Sequence, residues 1–321
     1  MANRLVKAET LVDAALGLLT KEVILPNLVW RDAESNYQGA VGPRGDTVKI
    51  RRPAELTPAR ELAWRDSNRE IVTDDLVEGY HEVKLDTYLY KAVQLLREEQ
   101  TLDIADFGAQ VLTPMVNVVA EGAEQRIAET IREAPYKETI TAGTGDRAVY
   151  NSLVDANKFL NQHRVPRIGR VAVVGSEVEA RALKDPTLVD VDRSGSDSAL
   201  RDAQIGRIAG HNLYGSDVID PNALYVFHPT AFPAVFRAPN PARSVPFSSS
   251  AVSAGVAMTY WESLDSRNDS DRAFLGTFLG VNHIEDLADP TDPTGDTEFV
   301  RGVKIVFDDD TTPDTTPDVA P

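Results

Sequence analysis

Gly175 stands between the apolar run "RVAVV" and the helix-forming "SEVEARALK", where a dinucleotide-binding βα unit would turn. The chemistry at stake is pyrophosphate binding at a helix N-terminus. That chemistry needs a second glycine two positions on, so that the backbone can approach the phosphates, and this chain has Glu177 there. A carboxylate would repel the anion that free N–H groups and the helix dipole otherwise attract. Ser176 and Glu179 have instead the spacing of a capping box, which predicts a scaffold turn. A second candidate is "DVDRSGSDSALR", which opens like a calcium loop with Asp190, Asp192 and Ser194 at its first, third and fifth positions and Gly195 at its sixth. Its twelfth position carries Arg201, a cation where a bidentate glutamate belongs, so a polar surface loop is expected.

Other reactive groups are scattered. The five histidines (His81, His163, His211, His228, His283) show no pair at helical or hairpin ligand spacing, and His283 with Asp286 comes nearest to a metal pair. "FSSSAVSAG" supplies hydroxyls without the G-x-S-x-G elbow that exposes a nucleophile. Asp217 and Asp220, or the acids of "NHIEDLADPTDPTGD", lie among turn formers, where carboxylates usually face water. There is no cysteine, which removes disulfides, thiolate zinc sites and cysteine nucleophiles. The sequence predicts no catalytic, cofactor or metal site, and no enzyme.

The elements that would carry these residues belong to an α+β chain. With 321 residues and a net charge of −17, the chain is long enough for two or three cores, and its surface as a whole does not favour nucleic acid or anionic lipid. The apolar stretch from Leu11 to Leu19 is broken by Asp13 and falls well short of the ~20 residues of a membrane span, so no membrane association is expected. "GDTVKIRRP" and "YHEVKLDTYLYKAVQL" alternate as strands. A helix is predicted from Leu102 to Ile131, with its apolar stripe on Ile104, Phe107, Val111, Met115, Val118, Gly122, Ile127 and Ile131 and a bend at Pro114. A second helix is expected from Tyr150 to His163, and strands at "ALYVFHP", "GVAMTYWESL", "RAFLGTFLGVNHI" and "FVRGVKIVF". The tail Asp308–Pro321 has the composition of a disordered segment, and without its five aspartates the chain still carries −12.

One stretch departs from the general acidity. From Pro43 to Glu70 seven basic residues (Arg44, Lys49, Arg51, Arg52, Arg60, Arg65, Arg69) face five acids beside Trp64. The excursion from Pro53 to Gly79 is far longer than a hairpin needs, and loops of that size are usually functional or disordered. A local positive surface of this kind suits an acidic surface on another subunit. Arg51, Arg52, Arg60, Trp64, Arg65 and Arg69 are the expected intersubunit contacts.

The order of parts resembles the major capsid proteins of tailed bacteriophages. "RVAVVGSEVEARALKDP" looks like their strand and helix, "DAQIGRIAGHNLYGSDVI" like the glycine-punctuated segment that follows, and "ADFGAQVLTPMVNVVAEGAEQRIAETI" like their spine helix in the P22-type branch with its interior proline. The resemblance spans residues 1 to 307. It implies the Hong Kong-type capsid fold, divided into an N-terminal arm (1–43), an extended β-hairpin loop (44–80), a peripheral domain with the spine helix (81–147), an axial domain (148–255), return strands of the peripheral domain (256–307) and an acidic tail (308–321). It further implies a virion protein, assembled in the host cytoplasm into pentamers and hexamers of an icosahedral shell. Double-stranded DNA would be packaged inside without sequence-specific binding. A scaffolding protein and a portal are implied partners, with room for a cement protein. With no long propeptide ahead of the arm, the scaffolding protein is expected to be separate. The alternatives are an encapsulin-like compartment of the same fold, and a soluble α/β nucleotide-binding enzyme built on the Gly175 turn.

Overall fold

The computed structural model describes residues 23–31, 46–52, 59–61, 71, 73, 78–96, 107–143, 145, 147–184, 207–240, 245, 247–253, 256–267, 270–288 and 295–307. Along the chain, helix α1 (Leu25–Leu28) precedes strands β1 (Thr47–Arg52), β2 (Gly79–Lys84) and β3 (Thr87–Leu96), then helix α2 (Thr113–Glu133). β4 (Thr139–Ala142), α3 (Ala148–Gln162), β5 (Val171–Val174), α4 (Ser176–Lys184), β6 (Arg207–Ile208), β7 (His211–Gly215) and β8 (Ala223–Phe227) follow. β9 (Ala234–Arg237), β10 (Phe247–Ser253), β11 (Val256–Asp265), β12 (Ser270–Val281), β13 (Asp286–Leu287), β14 (Thr297–Glu298) and β15 (Gly302–Phe307) complete it.

These elements pack as two units, one of the residues up to Ala134 with Thr230–Glu298, the other of Pro135–Pro229 with the residues from Phe299 on. The divisions fall at 134, 229 and 298, and strand pairing is the reason. β4 lies parallel to β15, which draws the chain after Ala134 into the second unit. β9 pairs with β12 and β10 with β11, which returns residues 234–253 to the first.

The second unit is a six-stranded mixed sheet in the order β4-β15-β8-β5-β7-β6. β5, "VAVV", is central and buried on both faces, which is why it reads as an unbroken apolar run rather than an alternation. Leu153, Ala156 and Leu160 of α3 and Val178 and Ala182 of α4 pack on Ala172, Val174, Leu224, Val226, Val303 and Ile305. Tyr225 projects from the opposite face of β8 beside Tyr136, which in turn meets Phe299 edge-on. Arg170 is buried, and among the described residues its guanidinium meets neutral acceptors: Asn157 Oδ1 at 2.7 Å, Asn161 Oδ1 at 2.9 Å and the carbonyls of Val165 (2.7 Å) and Pro166 (2.9 Å). It ties the turn after α3 to α3 itself.

The first unit holds an antiparallel sheet in the order β10-β11-β12-β3, with β9 added alongside β12. α2 lies on β12 and β3 and buries Met115, Val119, Ala123, Ile127 and Ile131. Val118, expected in that stripe, is 45 % exposed, because Val116, Val119 and Ala120 supply the buried face in its place. The helix runs continuously through Pro114, the second residue of α2, and follows a π-helical stretch at Gly108–Leu112. Both the N–H and the hydroxyl of Thr113 reach the carbonyl of Gly108, five residues back. This wider turn accommodates a ring that would clash with the carbonyl four residues back in a regular helix. Residues 102–106 of the expected helix lie outside the described residues. From α2, the buried Glu124 carboxylate accepts the N–H groups of Ile24 (3.1 Å) and Leu25 (3.3 Å), which satisfies the donors at the start of α1.

Candidate intersubunit surface

The segment between β1 and β2 leaves from the β1–β2 ladder, which runs in register from Thr47 opposite Lys84 to Arg52 opposite Gly79. Alternation gives the ladder two faces. Val48, Ile50 and Val83 are buried with Val235, against Trp30 and Leu85. The other face is ionic, with Lys49 Nζ 3.2 Å from Glu82, Arg51 Nε 2.8 Å from Glu78 and Lys84 Nζ 3.9 Å from Asp46. Lys49 also sits over the Tyr80 ring at 4.1 Å, and its ammonium pKa is raised, chiefly by the bond to Glu82 and then by Tyr80.

Of the six residues expected at a neighbour, Arg51 is exposed and paired with Glu78 across the ladder. Arg52 lies at the ladder's end opposite Gly79, and Arg60 is exposed. Trp64, Arg65 and Arg69 lie outside the described residues. The returning strand corrects the charge count taken from Pro43 to Glu70: Glu78 and Glu82, just beyond that window, neutralise Arg51 and Lys49. Beyond the ladder, residues 53–77 carry three arginines against six acids, so the loop as a whole is acidic.

The sheet of the first unit exposes a second surface that sequence reasoning missed. On the face opposite α2, Tyr90 stacks on Phe274 at 5.4 Å and Phe274 on Trp261 at 4.1 Å, while Tyr88 meets Phe278 at 4.6 Å with the rings tilted. Tyr90 is 61 % exposed and Tyr88 40 %. Gly276 lies directly opposite Tyr90, and a Cβ there would come within 3.1 Å of Phe274 and 3.0 Å of the Tyr88 hydroxyl, so glycine leaves room for the rings. The alternation of Tyr88 and Tyr90 in "DTYLYKAV" was the available signal.

The reactive candidates fall into structural roles. At Gly175 an added Cβ would stand 2.2 Å from the Asp220 carbonyl, and the N–H groups of Glu177 and Val178 both donate to the carbonyl of Pro221. The chain's own backbone thus fills the place of a phosphate. It also replaces the expected capping box, because Glu179 is turned toward Gly215. Asp220 accepts the Tyr225 hydroxyl at 3.2 Å, and Asp217 is exposed. His283 meets Glu285 at 3.2 Å, while Asp286 pairs with Glu298 in the β13–β14 ladder. His163 Nδ1 lies 3.0 Å from the Phe159 carbonyl. His211 is fully buried, neither ring nitrogen meets a partner among the described residues, and its pKa is lowered to about 4 by burial and then by Arg170 and Arg207. The serines of "FSSSAVS" form β10, where the Ser250 hydroxyl meets Thr259 at 2.9 Å. The calcium-like loop, 190–201, lies outside the described residues. Among the described residues no three His, Asp or Glu side chains group to hold a metal, and no helix is long and apolar enough to cross a membrane.

No protein-family model matches the chain, and no curated protein matches its sequence. Solved structures do match in shape. A chain of Mycobacterium phage Che8 superposes with a TM-score of 0.63 at 17% identity, over 89% of this chain and 92% of that one. The capsid of Ralstonia phage GP4 gives 0.59 at 11% identity, covering 91% and 90%, and the mature capsid of bacteriophage PhiM1 gives 0.58 at 13%, covering 83% of each. The fold is the Hong Kong-type phage capsid fold.

Proposed function

We propose that the chain is the major capsid protein of a tailed bacteriophage, many copies of which close into an icosahedral head around double-stranded DNA. The observation that carries this reading is the match to phage capsid structures over about nine tenths of both chains at a TM-score near 0.6. In this reading the second unit is the axial domain, and the sheet and long helix of the first unit are the peripheral domain. The N-terminal arm and the extended loop overlap neighbours in pentamers and hexamers. No chemistry is asked of any side chain. Small contacts gain their effect by repetition around a closed symmetric shell. The inferred partners are the chain itself, a scaffolding protein, a portal, DNA held without sequence recognition, and, where present, a cement protein.

The test is electron microscopy of the expressed chain, alone and with its scaffolding protein. Closed icosahedral shells of uniform diameter are the expected result. A chain that stays monomeric under both conditions overturns the reading, and shells filled with a cargo protein instead of DNA in the infected cell would make it a compartment protein.

A further inference from the structure

We infer that the end of the second unit's sheet where β5 and β7 begin holds the phosphate backbone of nucleic acid, with Arg164, Arg167 and Arg207 as its contacts. The inference rests on the capsid reading above, which supplies the nucleic acid, and names the surface that meets it. β5 and β7 run parallel with Val171 beside Asn212, so the turns that precede them, 163–170 and 207–210, share one end of the sheet. Asn157 ties the two turns together, accepting a bond from Arg170 and donating one to the carbonyl of Ala209. Each turn carries left-handed residues, Arg164 (φ 57°) and Gly169 (φ 84°) in the first, Ala209 (φ 48°) and Gly210 (φ 90°) in the second. Arginine and alanine take that conformation only where the surrounding structure fixes it, so the cations stand on a rigid frame.

The charge of this end opposes that of the chain. Residues 156–176 and 203–216 hold five basic residues and no acid, in a sequence of 50 acids against 33 bases. Arg164, Arg167 and Arg207 are exposed and form no ion pair among the described residues. Behind them the buried Arg170 meets neutral acceptors, which leave its charge uncancelled. Burial lowers the pKa of His211 and of His228, and Arg170, joined by Arg207 at the first and by Arg301 at the second, lowers both further, as a positive local field requires. The acids of this sheet that follow β5 and β7, Glu177, Asp217 and Asp220, stand at its opposite end. Four residues of β5 at ~3.3 Å each put them about 13 Å away, beyond the ~10 Å over which 0.1 M salt screens exposed charges. A phosphate at the two turns therefore meets the arginines and not the acidity of the whole chain. Guanidinium forks match phosphate oxygens in pairs. Ile168, 88 % exposed at the tip of the first turn, is a single apolar side chain and does not make the apolar core that a protein partner would need.

The test is binding of the full-length chain, below its assembly concentration, to a fluorescent DNA duplex, followed by anisotropy over a range of salt. Three phosphate contacts predict that log K falls against log salt with a slope of about −2.7, at about −0.9 for each phosphate. Arg164→Asn, Arg167→Gln and Arg207→Gln together should weaken binding about tenfold or more and flatten that slope. A control of equal net charge, Lys84→Gln with Arg126→Gln and Arg272→Gln, removes cations that are paired with acids in the first unit and should leave affinity and slope as in the parent. Arg167→Glu alone, at an exposed site, should also weaken binding with the melting temperature unchanged, which guards against a triple variant that folds poorly. Equal losses from the site and control variants overturn the inference, as does a parent that fails to bind the duplex at low salt. Displacement of the duplex by polyglutamate as readily as by unlabelled duplex would also overturn it, in favour of an acidic protein partner. Closed shells formed by a chain that does not bind the duplex sink this site and leave the capsid reading intact, whereas duplex binding through these arginines without shells sinks that reading and leaves the site.

Discussion

The two units treat their sheets in opposite ways. In the second, β5 is covered on both faces, the buried Arg170 is held by two asparagines and two carbonyls, and the turn at Gly175 is filled by the backbone of residues 220–221. In the first, α2 covers one face, while on the other Tyr88 and Tyr90 are exposed beside the half-buried Trp261, Phe274 and Phe278, β3 is the outermost strand among the described residues, and the β1–β2 ladder carries a long polar loop. A unit that satisfies itself internally supplies stability. A unit that leaves apolar surface and a strand edge unused supplies contacts, and substitutions in the two should therefore fail in different assays.

The largest effect on folding is expected at Arg170. Arg170→Ala removes one guanidinium and strands one buried and three part-buried acceptors, at about 1–3 kcal/mol for each that finds no water, so a loss of about 3 kcal/mol or more is expected in chemical denaturation. A loss below 1 kcal/mol would show that the second unit is not held by this network.

A slightly smaller effect depends on pH. The folded-state pKa of His211 lies at about 4, below the ordinary 6.5, so as the pH falls the unfolded chain takes up the proton first. Stability is then complete above about pH 6.5 and is lost progressively toward pH 4, by up to about 3 kcal/mol. His211→Leu should remove that part of the acid sensitivity when the two proteins are melted side by side across this range. Parallel curves for parent and variant would contradict the burial argument.

At the small end, truncation after Phe307 should leave both melting temperature and particle yield unchanged. Phe307 already closes β15 in the core, and the residues beyond it have no apolar spacing with which to dock. Loss of closed particles would make the acidic segment a contact element.

Much of this division could be read from the sequence, and the unreadable parts have definite causes. The run "RVAVV" and the turn at Gly175 were legible because a doubly covered strand and a missing second glycine are local facts. The helix around Pro114 was legible from its stripe, but Val118 was misplaced, since a 3.6-residue period does not say which of two adjacent rows meets the sheet. The neutralised ladder was missed because Glu78 and Glu82 lie more than 25 positions from the cations they meet. The aromatic face was missed for the same reason: Tyr90, Trp261 and Phe274 belong to three strands, and only the β3–β12 and β11–β12 registers bring them together.

The most direct test of the central claim is sedimentation of the Arg60, Trp64 and Arg65 triple alanine variant beside the parent, with circular dichroism and thermal melting on the same samples. A single exposed ion pair is worth only ~0–1 kcal/mol, so the isolated subunit should be unchanged in spectrum and melting temperature. The same small loss, repeated at every subunit, should keep closed particles from accumulating. If the triple variant sediments as closed particles in the parent's yield, the loop is a solvated protrusion and the outward-facing role of the first unit is contradicted.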